Sequence, residues 1–100
     1  MPFDGTQKNS TALVLLKAAE IIREGGWCQM KSRLGSSHCV ARAIFEASEK
    51  DPVRARAGHE AFAAHLHLSY VEIPFWNDSE YRTKDDVLRA LEECAKNAAL

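Results

Sequence analysis

The side chains in this chain that can do chemistry are three cysteines, four histidines and one dense run of aromatic and polar residues. Cys39 precedes a small-residue helical pattern, Val40-Ala-Arg-Ala43, which places it in the first turn of an expected helix. There the free N–H groups and the helix dipole favour a thiolate. Gln29, upstream, can donate its amide to an oxyanion. An imidazole (His65 or His67), with Asn77, would complete a cysteine-nucleophile set of the thiol-protease kind. The plainer account is that free cysteine behaves as a small buried apolar residue, so that Cys39 begins a helix and Cys28 packs beside Trp27. That account is the favoured one.

Metal chemistry has ligand types but not ligand spacing. His38, His59, His65, His67, Cys28, Cys39 and Cys94 are spread through the chain without Cys-x-x-Cys, His-x-x-x-His or His-Glu-x-x-His. His65 and His67 are two apart on an expected helix, so they point about 200° from each other, and only an extended segment would let them share a ligand. No metal and no cofactor are expected.

The run Ile73-Pro-Phe-Trp-Asn-Asp-Ser-Glu-Tyr-Arg-Thr83 has no periodicity to explain its content. Asn and Asp favour turns by bonding their own backbone, and a buried Trp usually finds a partner for its N–H. In the structural reading, Ile73 and Trp76 plug the open end of a helical bundle while Asn77 and Asp78 turn the chain toward Thr83. In the functional reading, a notch lined by Trp27 and Trp76, with Gln29, Asn77, Asp78, Arg82 and Thr83 around it, contacts a ligand or a protein. The structural reading is favoured.

Four helices are expected to position these residues. Residues 1–9 read as a loose tail, with Ser10 capping a helix from Thr11 to about Glu24 in which Ala12, Leu15, Leu16, Ala19 and Ile22 face inward. Gly25-Gly26 ends it. Trp27 to Ser37 reads as a long basic loop. A second helix, capped by Ser36 or Ser37, runs to about Glu49. Asp51-Pro52 restarts a third, which reaches about His67 with Gly58 marking a break or a close backbone approach. Leu68–Ile73 favours an extended piece. Thr83-x-x-Asp86 resembles a capping box opening the last helix, whose inward face is Val87, Leu91, Cys94, Ala95 and Ala98. The large core anchors are Leu15, Leu16, Ile22, Trp27, Ile44, Phe45, Phe62, Leu66, Trp76 and Leu91.

Composition bounds what this scaffold can do. One hundred residues make one domain, residues 10–100, and 46% hydrophobic content includes 15 alanines, so close helix contacts must build the core. A net charge of −1 gives no bulk attraction to nucleic acid or to anionic membranes. Residues 23–56 carry an excess of three positive charges, better explained as a solvated face than as a groove-reading helix. The longest apolar run, Ala12 to Leu16, is too short for a membrane span, and an odd cysteine count without framework spacing indicates reduced thiols in the cytoplasm.

Gly26-Trp27-x-Gln29, Cys39 leading a small-residue helix, and Trp76-Asn-Asp78 followed by Arg82-Thr83 and Val87-Leu88 together resemble a family. It is a family of small uncharacterised proteins met in bacterial (chiefly actinobacterial) and phage genomes. The resemblance spans roughly residues 12 to 97. It implies a compact helical fold with Trp27, Gln29, Cys39, Trp76, Asn77, Asp78 and Thr83 in one cluster, and no assigned activity.

The expectation is therefore an all-α single domain of about four helices, with one long loop and a Trp-containing connector. Its leading function is an accessory role through a protein partner or through self-association as a homodimer. A Cys39-dependent hydrolase or transferase, assisted by Gln29 and a histidine such as His65, is the first alternative. A small-ligand sensor using Trp27 and Trp76 is the second.

Overall fold

The computed structural model of the protein describes the backbone of residues 3–99 and the side chains of residues 10–99. It is an all-α globule in which a long first helix, α1 (Phe3–Gly25), packs on three others: α2 (Val40–Ala47), α3 (Pro52–His65) and α5 (Lys84–Ala98). Between α3 and α5 the chain makes a 3₁₀ turn (Tyr70–Glu72) and a short helix, α4 (Ile73–Asn77). Among the described residues, five α-helices thus stand where four are expected. The fifth comes from the Trp-containing connector.

Each boundary has a local cause. Residues 3–9, expected as a loose tail, are helical, and Ser10 lies inside α1 rather than capping it. Once a helix is nucleated each further residue adds a hydrogen bond, so polar residues can continue it without contributing to an apolar stripe. Residues 1 and 2 lie outside the described residues. Gly26, with φ 106°, turns the chain out of α1 as expected.

The loop after it is not structureless. Strands β1 (Arg33–Leu34) and β2 (Ser37–His38) form a small antiparallel hairpin, and His38 also bridges to Trp27 in parallel. Because Ser37 and His38 are committed to that pairing, α2 starts at Val40, later than Ser36 or Ser37 would allow, and Cys39 is its cap. Helix α2 stops at Ala47, and Glu49 and Lys50 take left-handed backbone that leads to the Asp51 cap of α3. The Asp51 carboxylate accepts from Val53 N at 2.9 Å and Arg54 N at 3.4 Å. Helix α3 ends at His65, short of His67, which has φ 58°. Residues 70–72, expected as extended, are helical because Glu72 folds back onto the Ser69 N–H at 2.8 Å. At α5 the capping box is as the sequence indicates. Thr83 Oγ1 accepts from Asp86 N at 3.1 Å and Asp86 accepts from Thr83 N at 3.0 Å.

The core joins Leu15, Ile22, Val40, Ile44, Phe62, Ile73, Val87 and Leu91, all fully buried. Leu16 departs from expectation: it is 47% exposed. The buried residues of α1 centre on Ala18 and Ile22, which leaves Leu16 at the stripe's edge. Phe45, Leu66, Trp27 and Trp76 are half-buried at the core's margin. Among the described residues no helix is long and apolar enough to cross a membrane.

Gly58 marks a close approach rather than a break, since α3 runs through it. A Cβ there would lie 2.9 Å from Ile44 Cγ2 and 3.3 Å from Val14 Cγ1. Both are β-branched methyls with little room to rotate away. Gly58→Ala gains about 1 kcal/mol of helix propensity but overpacks the α1–α2–α3 junction by about 1–3 kcal/mol. The expected result is a net loss of stability of about 1 kcal/mol in urea melts, opposite in sign to an exposed Gly→Ala change.

Candidate functional site

The connector and the Trp27 loop meet through one buried amide. Asn77, the last residue of α4, is 1% exposed, and its side chain uses its full hydrogen-bonding capacity. Its Oδ1 accepts from Trp27 Nε1 at 2.8 Å and from Val40 N at 2.9 Å. Its Nδ2 donates to Cys28 O at 3.1 Å and to Asp78 Oδ1 at 2.9 Å. A short side chain thus ties together the segment after α1, the first turn of α2 and the end of α4.

Neighbouring groups reinforce the tie. Gln29 Nε2 donates to Asn77 O at 3.1 Å and Ser79 O at 2.9 Å, and Asp78 Oδ1 accepts from Met30 N at 2.9 Å. Arg82 Nε donates to Trp76 O at 2.9 Å, while its guanidinium lies 4.1 Å over the Trp76 ring. The other partner of that ring is Phe62, edge-on at 5.4 Å between centroids. The structure therefore brings Trp27, Gln29, Trp76, Asn77, Asp78 and Arg82 into one clasp. Thr83 stands beside it as the cap of α5.

Next to the clasp lies an open groove of about 410 Å³, between the Met30–Ser32 segment, α2 and α4. Apolar side chains of Met30, Ala41, Phe45 and Pro74 line it together with Cys39, Lys31, Ser32, Arg42, Asn77 and Asp78. Neither indole lines it, so the groove is not a Trp27/Trp76 notch. Two of the three charged side chains that line it, Arg42 and Asp78, are engaged within the protein. Arg42 Nε donates to Glu46 at 2.8 Å and its guanidinium lies 5.4 Å from the Phe45 ring centroid. Burial raises the Glu46 pKa, but the Arg42 hydrogen bond and the Lys50 and Arg42 charges outweigh it, and the carboxyl titrates below its ordinary value. Near Pro74 in the chain, Val71 and Phe75 are exposed by 70% and 78%.

The cysteine-nucleophile set does not assemble. Cys39 does line the groove, but its Sγ accepts from Arg42 N at 3.3 Å, the contact of a helix cap. Gln29 spends both amide hydrogens on Asn77 O and Ser79 O. His65 sits against α5, 3.2 Å from Asn97 Nδ2 and 3.9 Å from Glu93. His38 Nδ1 lies 3.0 Å from Ser36 O, and His59 Nε2 lies 2.9 Å from Ala41 O. Among the described residues no imidazole hydrogen-bonds to Cys39.

The other thiols are buried. Cys28 donates to Lys31 O at 3.4 Å; burial, then the nearness of Cys39 and Asp78, pushes its pKa up. Cys94 donates to Ala61 O at 3.4 Å and burial alone pushes it up to about 11. Among the described residues no three His, Cys, Asp or Glu side chains gather as a metal site would require.

Met30, Arg42, Phe45 and Pro74 were not among the expected site residues. Met30 carries no sequence signal, since its place depends on a left-handed backbone (φ 67°) and a contact with Asp78 across the fold. Pro74 and Phe75 do carry one: two apolar residues beside a Trp in a short connector exceed what a single plug needs.

Residues 6–97 match the model of a family described as a family of unknown function (DUF6197). No curated protein and no solved structure matched the chain.

Proposed function

The chain belongs to this family of unknown function, and from its groove we propose that it is a small helical accessory protein that binds another protein. The partner inserts an apolar segment between α2 and α4. The observation that carries this reading is a groove with an apolar lining of Met30, Ala41, Phe45 and Pro74, with exposed Val71 and Phe75 near Pro74 in the chain. Interaction sites are where exposed apolar residues gather and the charges around them are satisfied. Arg42 is held by Glu46 and Asp78 accepts from Met30 N and Asn77 Nδ2, so two of the three charged side chains at the rim are engaged within the protein, Lys31 being the third. The clasp makes the groove a rigid surface rather than one assembled on binding, which lowers the ordering cost of association. Three free cysteines fit work in the cytoplasm.

The Cys39 enzyme reading has less support, because no base hydrogen-bonds to the thiol and Gln29 is consumed. The Trp27/Trp76 sensor reading has less again, since the first indole N–H is bonded to Asn77 and the second ring is covered by Phe62 and Arg82.

Placing a charge on the groove edge tests the proposal. Met30→Lys, which avoids a second carboxylate beside Asp78, and Phe75→Asp alter side chains each 78% exposed and should change folding stability by no more than about 0.5 kcal/mol. Each is expected to abolish recovery of the protein partner captured by the wild-type chain in its own cells, with the thermal melt unmoved. Unchanged recovery by both variants would refute the groove as the docking site.

A further inference from the structure

We propose that Cys28 and Cys39 are a redox-responsive pair that closes to a disulfide behind the groove. The pairing of the backbone carries this. His38 N donates to Gly26 O at 3.1 Å and Cys28 N to His38 O at 3.2 Å, the pattern of a parallel bridge between Trp27 and His38. The next residue on each segment is a cysteine. The bridged pair lies about 4.8 Å apart. The cysteines one step beyond it are near enough for Cys39 to raise the Cys28 pKa, which sets them close to the Cα separation of about 4.4–6.8 Å that a disulfide spans. Successive side chains alternate in direction, so Trp27 and His38 project to one face while Cys28 and Cys39 project together to the other. Cys39 lines the open groove and is the sulfur that a dissolved oxidant reaches first; Cys28 is buried behind it.

The chemistry needs a small disulfide as oxidant, and glutathione disulfide serves as the probe. The Cys39 thiolate attacks one sulfur of the probe, forming a mixed disulfide and releasing one glutathione thiolate. The Cys28 thiolate then attacks the Cys39 sulfur, forming the internal bond and expelling the second glutathione thiolate. Two protein thiols are oxidised, the probe is reduced to two thiols, and the two protons lost from cysteine end on glutathione. Burial and the charges nearby hold the Cys28 thiol above its ordinary range, so the second step quickens as pH rises. Closure draws Cys39 Sγ away from Arg42 N and Cys28 Sγ away from Lys31 O. Arg42 and Lys31 both line the groove, so the bond changes its wall. This inference stands whether or not the groove takes a partner.

The test is intact-mass analysis and peptide mapping of the wild-type protein after incubation with glutathione disulfide. The expected product is a monomer lighter by two hydrogens, with one alkylatable thiol left after denaturation (Cys94) and a cross-link joining the Cys28 and Cys39 peptides. Cys28→Ser is expected to stop at a stable glutathione adduct on Cys39. A lasting adduct on wild-type Cys39, a link through Cys94, a disulfide-joined dimer or an unchanged mass would each overturn the proposal. The wild-type measurement decides even if the variant does not fold.

Discussion

Asn77→Ala is expected to lower the stability of the protein by about 3–4 kcal/mol, a drop in melting temperature of roughly 15–20 °C for a domain of this size. The substitution removes little apolar area. Its cost comes from groups left behind: Trp27 Nε1, Val40 N and Cys28 O all lose a partner at the place where three segments meet. A buried donor or acceptor left unsatisfied costs about 1–3 kcal/mol, which exceeds what a formed hydrogen bond contributes on average. Asn77→Asp separates this account from one based on volume. The two side chains have the same shape, but the carboxylate would face Cys28 O and the Asp78 carboxylate with an oxygen where Asn77 presents an N–H. Asn77→Asp is therefore expected to melt at least as low as Asn77→Ala. Urea melts in which Asp at 77 matched the wild type, or Ala there cost under about 1 kcal/mol, would show that the amide is not what joins the segments.

Local chemistry made much of this fold legible in the sequence. Asp51-Pro52, Thr83-x-x-Asp86 and Gly25-Gly26 each act within a few residues, and each stops or starts a helix where the chain shows it. The helical faces of α2 and α5 were equally plain, because Val40, Ala43, Ile44 and Ala47, then Val87, Leu91 and Cys94, follow the 3.6 period into the core. What was not legible depends on partners distant in the chain. Nothing near Ser36 or Ser37 says that they are passed over as caps; the bridge from His38 to Trp27 decides that. The connector shows both cases at once. The family resemblance implied that its Trp and Asn cluster with Trp27 and Gln29, yet that its residues 73–77 form a helix follows from docking on the core through Ile73 and Asn77. The groove was least visible of all, since Met30, Phe45 and Pro74 become neighbours only after the clasp has closed.

Phe62→Ala is the other change with a large expected effect, a loss of about 3–5 kcal/mol, and its consequence for the groove differs from that of Asn77. Phe62 is fully buried in α3, and its ring meets Trp76 edge to face. Truncation leaves a cavity in the core and also removes the support on one side of the indole, whose other contact is the Arg82 guanidinium. Aromatic pairs of this geometry are worth about 0.5–1.5 kcal/mol beyond their buried area. Phe62 and Trp76 should therefore couple: the double variant Phe62→Ala/Trp76→Ala is expected to cost less than the sum of the single changes by about 1 kcal/mol. Phe62 and Asn77 make a useful contrast because they reach the same short helix by different means. Phe62 holds α4 by packing under Trp76, whereas Asn77 holds it by hydrogen bonds to the loop and to α2. If α4 is positioned by both, Phe62→Leu should restore most of the stability lost in Phe62→Ala while leaving the T-shaped contact broken. The hydrogen-exchange protection of Val40 N should then stay near wild type in Phe62→Leu and collapse in Asn77→Ala. Loss of that protection in Phe62→Leu at preserved global stability would mean that the indole, not the amide, sets the position of α2 against α4.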